Sequence, residues 1–516
     1  MILSIIIILL FSYVIKKSTF FKDDKIPLFI IYVAFIIKIT GIFFYILVYS
    51  NNASAYSFNS DTQSILHDAQ IIYKSLFVKP GDFFQLILGF HSSETSGYFH
   101  ENYFSKMEKW FSVGKSDFLL NDNQTITKLN ALLMVFSFGK FYAHALLNCL
   151  LSFMGGLFIY KTFKRYFAGK EKLLFLITLF IPSVYFWTSA VLKEPFVIFF
   201  LGGFLLSYFT IFVFKKITFS NIIFFTFSVF GLLILKPYLI GSLLFPLIAF
   251  TLVENKNFNK IILSYFTIIL PGLILSILLS YLIFNKNVFS IISKRQNDFV
   301  SIGYGGTFLY GNGIYLRLNV NEFNKIKLKD SSLQLYTLKT GISYMYWNYP
   351  NLKDTVFVAN NTDTIGTYEL KNSIIPSKSL IEKRLLEPTF SSYLIMMPKA
   401  IINAFFYPFF IGCKTNIQLL ASIENLFFLI FLISSIYFMD KTAINKNLLF
   451  FFSSSVMILF VLIGYSTAIG GALVRYKMPF LPFLWMIPLL LFDLGKIKLI
   501  TAKIRSIIIP LDKPVN

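Results

Sequence analysis

Residues 391–412 read SSYLIMMPKAIINAFFYPFFIG, and whether they cross a membrane or lie along it decides the topology of the whole chain. The stretch is apolar enough to cross, yet it holds two prolines, Lys399 and Asn403. A crossing needs about 20 apolar residues. Other runs of that kind, some a little short, lie near 2–15, 27–49, 131–160, 173–190, 195–214, 221–235, 238–253, 261–284, 417–438, 448–465 and 478–493. If 391–412 does not cross, the chain has eleven crossings. Lys16, Lys17, Lys22 and Lys25, the cluster from Lys161 to Lys172, Lys215, Lys216, Lys256, Lys260, Lys441, Lys446 and the basic tail from Lys496 to Lys513 then share one side. Short cytoplasmic loops carry such an excess, so this side is the cytoplasm. If 391–412 crosses, the basic tail falls outside, against that bias. The expectation is therefore eleven spans, with the amino terminus outside and the carboxyl terminus inside.

Composition supports this class. The 516 residues are 56% hydrophobic, 19% aromatic and only 14% charged, where soluble domains carry about a quarter charged residues. Such a chain cannot cover itself with polar surface, so its main solvent is lipid. The net charge of +22 then reflects cytoplasmic loops and not a nucleic-acid partner. Cys149 and Cys413 support no disulfide framework, CxxC pair or haem motif. The opening MILSIIIILLFSYVIKK has no basic start and no small-residue cleavage site, and reads as a retained first span.

The expected architecture is an all-α polytopic bundle in five parts: two spans in 1–50, a first extracytoplasmic loop in 51–130, a bundle in 131–284, an extracytoplasmic insert in 285–395, and an interfacial helix with the last spans and a cytoplasmic tail in 396–516. In the first loop, FFQLILGF, GYFHENYF and MEKWFSV read as amphipathic helices resting on the membrane. From Leu316 to Tyr368 the alternation of polar and β-prone residues reads as a small β-containing insert.

Several polar residues need a reason to be in such a chain. Asp61 and Asp68 in FNSDTQSILHDA are seven apart and share one helix face. Together they suit a general base, a divalent metal or a bound cation, while helix capping by Asp61 is the plainer alternative. Lys193, Glu194 and Pro195 sit in a very tight turn between two spans, and Lys236 and Pro237 in another. Arg295 follows a span in SKRQNDF, and Arg475 and Tyr476 follow Gly470 and Gly471 in the last outer turn. Lys38 lies in mid-span, where a lone lysine costs about 3 kcal/mol and calls for a partner or a cavity. The glycines of SIGYGGTFLYGNG lack the strand and helix context of a nucleotide fingerprint. Asp61, Asp68, Lys193, Glu194, Lys236, Arg295 and Arg475 all fall on the outer face in this topology. Acids beside cations above a bilayer suit an enzyme whose substrate carries phosphate on a lipid, the cations holding the phosphate and a carboxylate taking the proton.

The order of these features resembles the GT-C class of membrane glycosyltransferases, which includes protein mannosyltransferases and enzymes that add aminoarabinose to lipid A. Asp61 matches the position of the acid in that class's first outer loop, and WTSAVLKEP and ALVRYKMPFLP are similar to turns in bacterial members from surface-polysaccharide loci. The chain departs from the pattern in carrying an additional span before the expected first one and in lacking an Asp-Glu pair at the loop acid. The long outer segment 285–395, with Arg295, Arg317 and Arg384, is also similar to O-antigen polymerases and ligases. The resemblance implies a bacterial inner-membrane enzyme working at the periplasmic face. It would take a sugar from an undecaprenyl-phosphate-linked donor and pass it to a glycan, lipid or protein acceptor. Asp61 would be the base, and Asp68 its support or a metal ligand, a divalent metal being the one cofactor left open. Arg475, Lys193, Lys236 and Arg295 would hold the donor phosphate, with Glu194, Tyr476 and Lys38 in support. A transporter of a lipid-linked glycan is the rival from another class. It would call for an inverted repeat, which the sequence lacks.

Overall fold

The computed structural model describes residues 2–50, 61–91, 97–107, 110, 122–253, 258–285, 287–303, 379–381, 385–413, 415–439 and 444–496, with strand segments between 307 and 372. Among them seven helices are long and apolar enough to cross a membrane: Leu28–Val48, Phe141–Tyr166, Glu194–Val213, Lys260–Ile283, Asn416–Tyr437, Lys446–Ser466 and Gly470–Leu491. The chain is a helical membrane protein at this level of description. The remaining apolar runs form shorter pieces. Ile2–Lys17, Phe219–Leu235 and Pro237–Leu252 have 16, 17 and 16 residues, and so reach about 24–26 Å against a hydrocarbon core of about 30 Å. The run 173–190 is not one helix. It divides into Glu171–Phe180 and Pro182–Trp187, because Pro182 cannot donate into the turn before it. The run 131–160 also divides, at Phe138 and Gly139, which both have positive φ.

Burial separates an inner layer from an outer one. Of the apolar windows of Phe141–Tyr166 and Gly470–Leu491, 78% is buried, against 17% for Lys260–Ile283 and 22% for Asn416–Tyr437. The latter two helices therefore turn most of their apolar side chains outward, as lipid-facing helices do. At the centre, Phe141–Phe163 packs on Glu194–Tyr208 through two glycines. A Cβ on Gly155 would stand 2.4 Å from the Ile198 carbonyl oxygen, and one on Gly202 would stand 2.3 Å from that of Gly155. Only hydrogen fits there, and the close backbone approach sets where Glu194 emerges.

Between Trp187 and Glu194 the chain is irregular, and 188–192 are buried. Irregular backbone at this depth requires partners inside the protein. Ser152 supplies one, its Oγ donating to the Thr188 carbonyl at 2.9 Å. Lys38, 1% exposed, supplies another: its Nζ donates to Thr188 Oγ1 at 2.5 Å and to the Tyr185 carbonyl at 3.4 Å. The mid-span lysine thus ties the second apolar helix to the break.

Phe390–Phe406 lies against Lys446–Ser466. Tyr465 donates to the Tyr393 carbonyl at 2.7 Å, Gly464 abuts Ala400, and Phe405 meets Phe460 with ring centroids 4.8 Å apart. The chain then turns sharply at a cis Tyr407–Pro408 bond.

The helices Asp61–Val78, Pro80–Leu88 and Tyr98–Asn102 share with Asp122–Ser137 a separate aromatic core containing Tyr73, Phe83, Phe99, Phe104 and Trp110. It is pinned by Asp82, which accepts from Tyr98 and Tyr103 hydroxyls, each at 2.7 Å. Among the described residues seven short strands, β1 (Thr307–Tyr310), β2 (Ile314–Leu318), β3 (Lys327–Asp330), β4 (Leu335–Thr337), β5 (Ser343–Asn348), β6 (Thr355–Val358) and β7 (Leu370–Asn372), pair antiparallel in the order β3-β4-β7-β1-β2-β5-β6.

Candidate functional site

Four helix ends converge on one cluster, and prolines make two of them. Pro195 occupies the first turn of the helix that Glu194 opens, and Pro237 the first turn after Lys236. Proline is tolerated at that position and stops the preceding segment from running on, so each turn stays short. Asp61 is the first residue of Asp61–Val78, and Arg475 lies in Gly470–Lys477.

Glu194 is the hub, with its side chain 1% exposed. It accepts from Arg475 Nε at 2.7 Å and Nη2 at 2.9 Å, a bidentate fork, and from Lys236 Nζ at 3.2 Å. A buried carboxylate is stable only with such pairing. The remaining edge of Arg475 donates from Nη1 to Asp61 Oδ2 at 2.5 Å, and the Asp61 side chain is 37% exposed. The Arg475 guanidinium also stands 5.7 Å from the centre of the Trp187 ring, and Lys236 Nζ is 4.8 Å from that of Tyr476. Arg295 joins from the helix Val288–Gly303. Its guanidinium is 5.0 Å from the ring of Phe299, which meets Tyr476 with centroids 5.8 Å apart.

The tight turn does not pair with itself. Lys193 reaches away from Glu194 to Asp122 Oδ2 and Asn123 Oδ1, each at 2.6 Å. Burial pushes its ammonium down to about 8, against the opposing pull of Asp122. Sequence reading missed these two partners because they open Asp122–Ser137, seventy residues from Lys193 in the chain.

Asp68 is held elsewhere. Two turns and about 10 Å along the helix from Asp61, it is fully buried and accepts from the Trp110 backbone N–H at 2.9 Å, with His67 Nδ1 at 3.4 Å. The shared face expected of the two acids thus leads to different partners: Asp61 faces the bundle cluster and Asp68 fastens the aromatic unit. Among the described residues no three His, Cys, Asp or Glu side chains gather as a metal would require. The side chain of Arg317, and Arg384, lie outside the described residues.

A cavity of about 250 Å³ adjoins the cluster. Trp187, Tyr407, Pro408, Ile417, Gln418 and Val474 are among its walls, so the ring that meets Arg475 also lines the cavity. Phe409, Phe410 and Ile411 follow Pro408 and are 44%, 59% and 91% exposed. An apolar loop this exposed, next to an apolar cavity, is suited to contact with lipid. No spacing along the chain marks the cavity, which needs four distant segments.

Below the cavity, Glu424 accepts from the Ser183 backbone N–H at 2.6 Å and so caps Pro182–Trp187. Lys477 Nζ donates to the Tyr407 carbonyl at 3.0 Å. These buried charges hold the broken helix and the turn at Tyr407.

No protein-family model matches the chain, and neither a curated protein nor a solved structure does.

Proposed function

We propose that this chain is a glycosyltransferase of the bacterial inner membrane that takes a sugar from an undecaprenyl-phosphate-linked donor at the periplasmic face. The observation that carries this reading is the joining of Asp61, Glu194, Lys236 and Arg475, from four distant segments, beside an apolar cavity. Two acids and two bases cancel in charge there, and Arg295 adds a positive charge beyond the rings of Phe299 and Tyr476. That balance favours an anion over a neutral ligand, and the cavity favours an apolar tail attached to it.

In the proposed reaction the acceptor hydroxyl oxygen attacks the anomeric carbon of the donor. The bond from that carbon to the phosphate oxygen breaks, and the phosphate leaves with the electron pair. Asp61, the exposed acid, takes the hydroxyl proton. Arg475, with Lys236 and Lys193 near it, stabilises the charge that develops on the leaving phosphate. Glu194 orients Arg475. Eleven crossings, with 51–130 and the insert outside, belong to the same proposal. Lys399 and Asn403 within 391–412, and the basic tail that would otherwise fall outside, support leaving 391–412 out of the count.

Asp61→Asn should insert normally and lose transfer; full activity in that variant would sink the role of Asp61. Arg475→Ala should weaken donor binding by about ten- to a hundredfold, the worth of a charge-assisted hydrogen bond, and leave acceptor binding nearly unchanged. The place of Arg295 beside Tyr476 favours a second reading, in which the transferred unit is a whole repeat. A deletion strain that accumulates single repeat units would select that polymerase or ligase reading, and loss of one sugar substituent would select the simple transferase.

A further inference from the structure

We propose that Asp61 stands in the place of the substrate phosphate on Arg475: a lipid phosphate displaces its carboxylate from Nη1, and the displacement is what readies Asp61 as a base. This rests on the reading of Arg475 as the donor-phosphate ligand.

The two edges of Arg475 are unequal. The Nε and Nη2 edge is forked onto Glu194, whose side chain is 1% exposed and which also accepts from Lys236. Removing that partner would strand a buried charge, so this edge is fixed. The Nη1 edge makes one bond to a carboxylate that is 37% exposed. Water can solvate Asp61 when it leaves, and Lys193, whose charge already couples to it, remains close. The fork onto Glu194 keeps the plane of Arg475 in place during the exchange. A phosphate offers more charge and more acceptor oxygens than the carboxylate it replaces. Its tail has the cavity that Trp187 lines to enter.

The exchange has a second consequence. An aspartate bonded to an arginine is a poor base, because the guanidinium stabilises the charged form. Without donor, Asp61 is therefore held inactive; with donor, Arg475 is occupied by phosphate and Asp61 recovers its basicity. A hydroxyl that arrives before the donor meets no base. The site is ordered by a competition between two anions for one edge of one side chain.

The test uses the full chain purified in detergent and geranyl phosphate as the probe, with geraniol as the neutral control. Asp61→Asn removes the competing charge without changing shape, so it should bind geranyl phosphate about two- to fivefold tighter than the native protein, the scale of a partly exposed ion pair. Asp61→Glu, which restores the competitor, should return the affinity towards native. In the native protein, labelling of Asp61 by a water-soluble carbodiimide should rise on adding geranyl phosphate and stay unchanged with geraniol. This arm needs no variant to fold. Equal or weaker binding by Asp61→Asn, or labelling that does not respond to geranyl phosphate, overturns the exchange. If Arg475→Ala meanwhile abolishes binding, the lipid-phosphate reading stands without it; if Arg475→Ala binds as well as native, that reading falls too.

Discussion

Glu194 is one residue of a turn whose sequence, Lys193-Glu194-Pro195, invites a self-paired ion pair. Its burial decides otherwise. A carboxylate this deep must accept from cations that come with it, and the fork from Arg475 with the bond from Lys236 supplies them. Glu194→Gln leaves two buried cations short of a counter-charge and should cost about 3–5 kcal/mol of stability, read as a lowered Tm in detergent. The double variant Glu194→Gln with Lys236→Met should recover part of it; no recovery would show that the pair is not coupled. Lys193 carries a different expectation. Burial pushes its ammonium down to about 8, so the charged form is present at pH 7 and is lost as pH rises through that value. If Lys193 assists the phosphate, donor affinity should fall between about pH 7.5 and 9, and Lys193→Arg, which stays charged, should remove that fall.

At the scale of elements, the site is placed by helix contacts. The Gly155 and Gly202 contact brings two helices to backbone distance, and the position of Glu194 follows from it. Gly155→Ala should lower stability by about 1–3 kcal/mol, as overpacking does, and should weaken donor binding by shifting Glu194. Gly241→Ala, which meets nothing within 4 Å, is the control and should leave Tm unchanged or slightly raised. The aromatic unit of 61–110 has its own lock. Although burial opposes it, hydrogen bonds from Tyr98 and Tyr103 and the nearby Lys79 hold the Asp82 carboxyl below its usual range. A depressed carboxyl stabilises the fold above the unfolded value of 3.8, and that stability is lost as pH falls through the folded value. Tyr103→Phe should raise the pH at which the unit opens on acidification, followed by hydrogen exchange in 61–110.

At the scale of the molecule, the arrangement into sides can be tested directly. In a protein with Cys149 and Cys413 replaced by alanine, single cysteines at the exposed positions Lys74, Lys215 and Lys496 report the proposed topology. A membrane-impermeant maleimide should label position 74 from the periplasm, and 215 and 496 only after the inner membrane is opened. Labelling of 496 from the periplasm would mean that 391–412 crosses.

Composition and hydropathy were enough to establish a helical membrane protein, because a chain this apolar has no other way to satisfy its backbone. The charged residues that matter were also legible one by one, since an ionisable group at membrane depth is costly and must have a use. What they do to one another was not. That Asp61 meets Arg475 while Asp68 meets Trp110, that Lys193 leaves Glu194 for Asp122, and that Lys38 braces a broken helix are long-range pairings. No periodicity or spacing encodes them, because each is settled by which helix ends the packing brings together. Pro182, which divides the run 173–190, could be read in the sequence, but the length and hydropathy of the run pointed to one span. Only the folded chain could turn that run into two short helices and a buried strap, because the strap is stable only with the partners that Lys38 and Ser152 bring to it, and the second helix with the cap from Glu424.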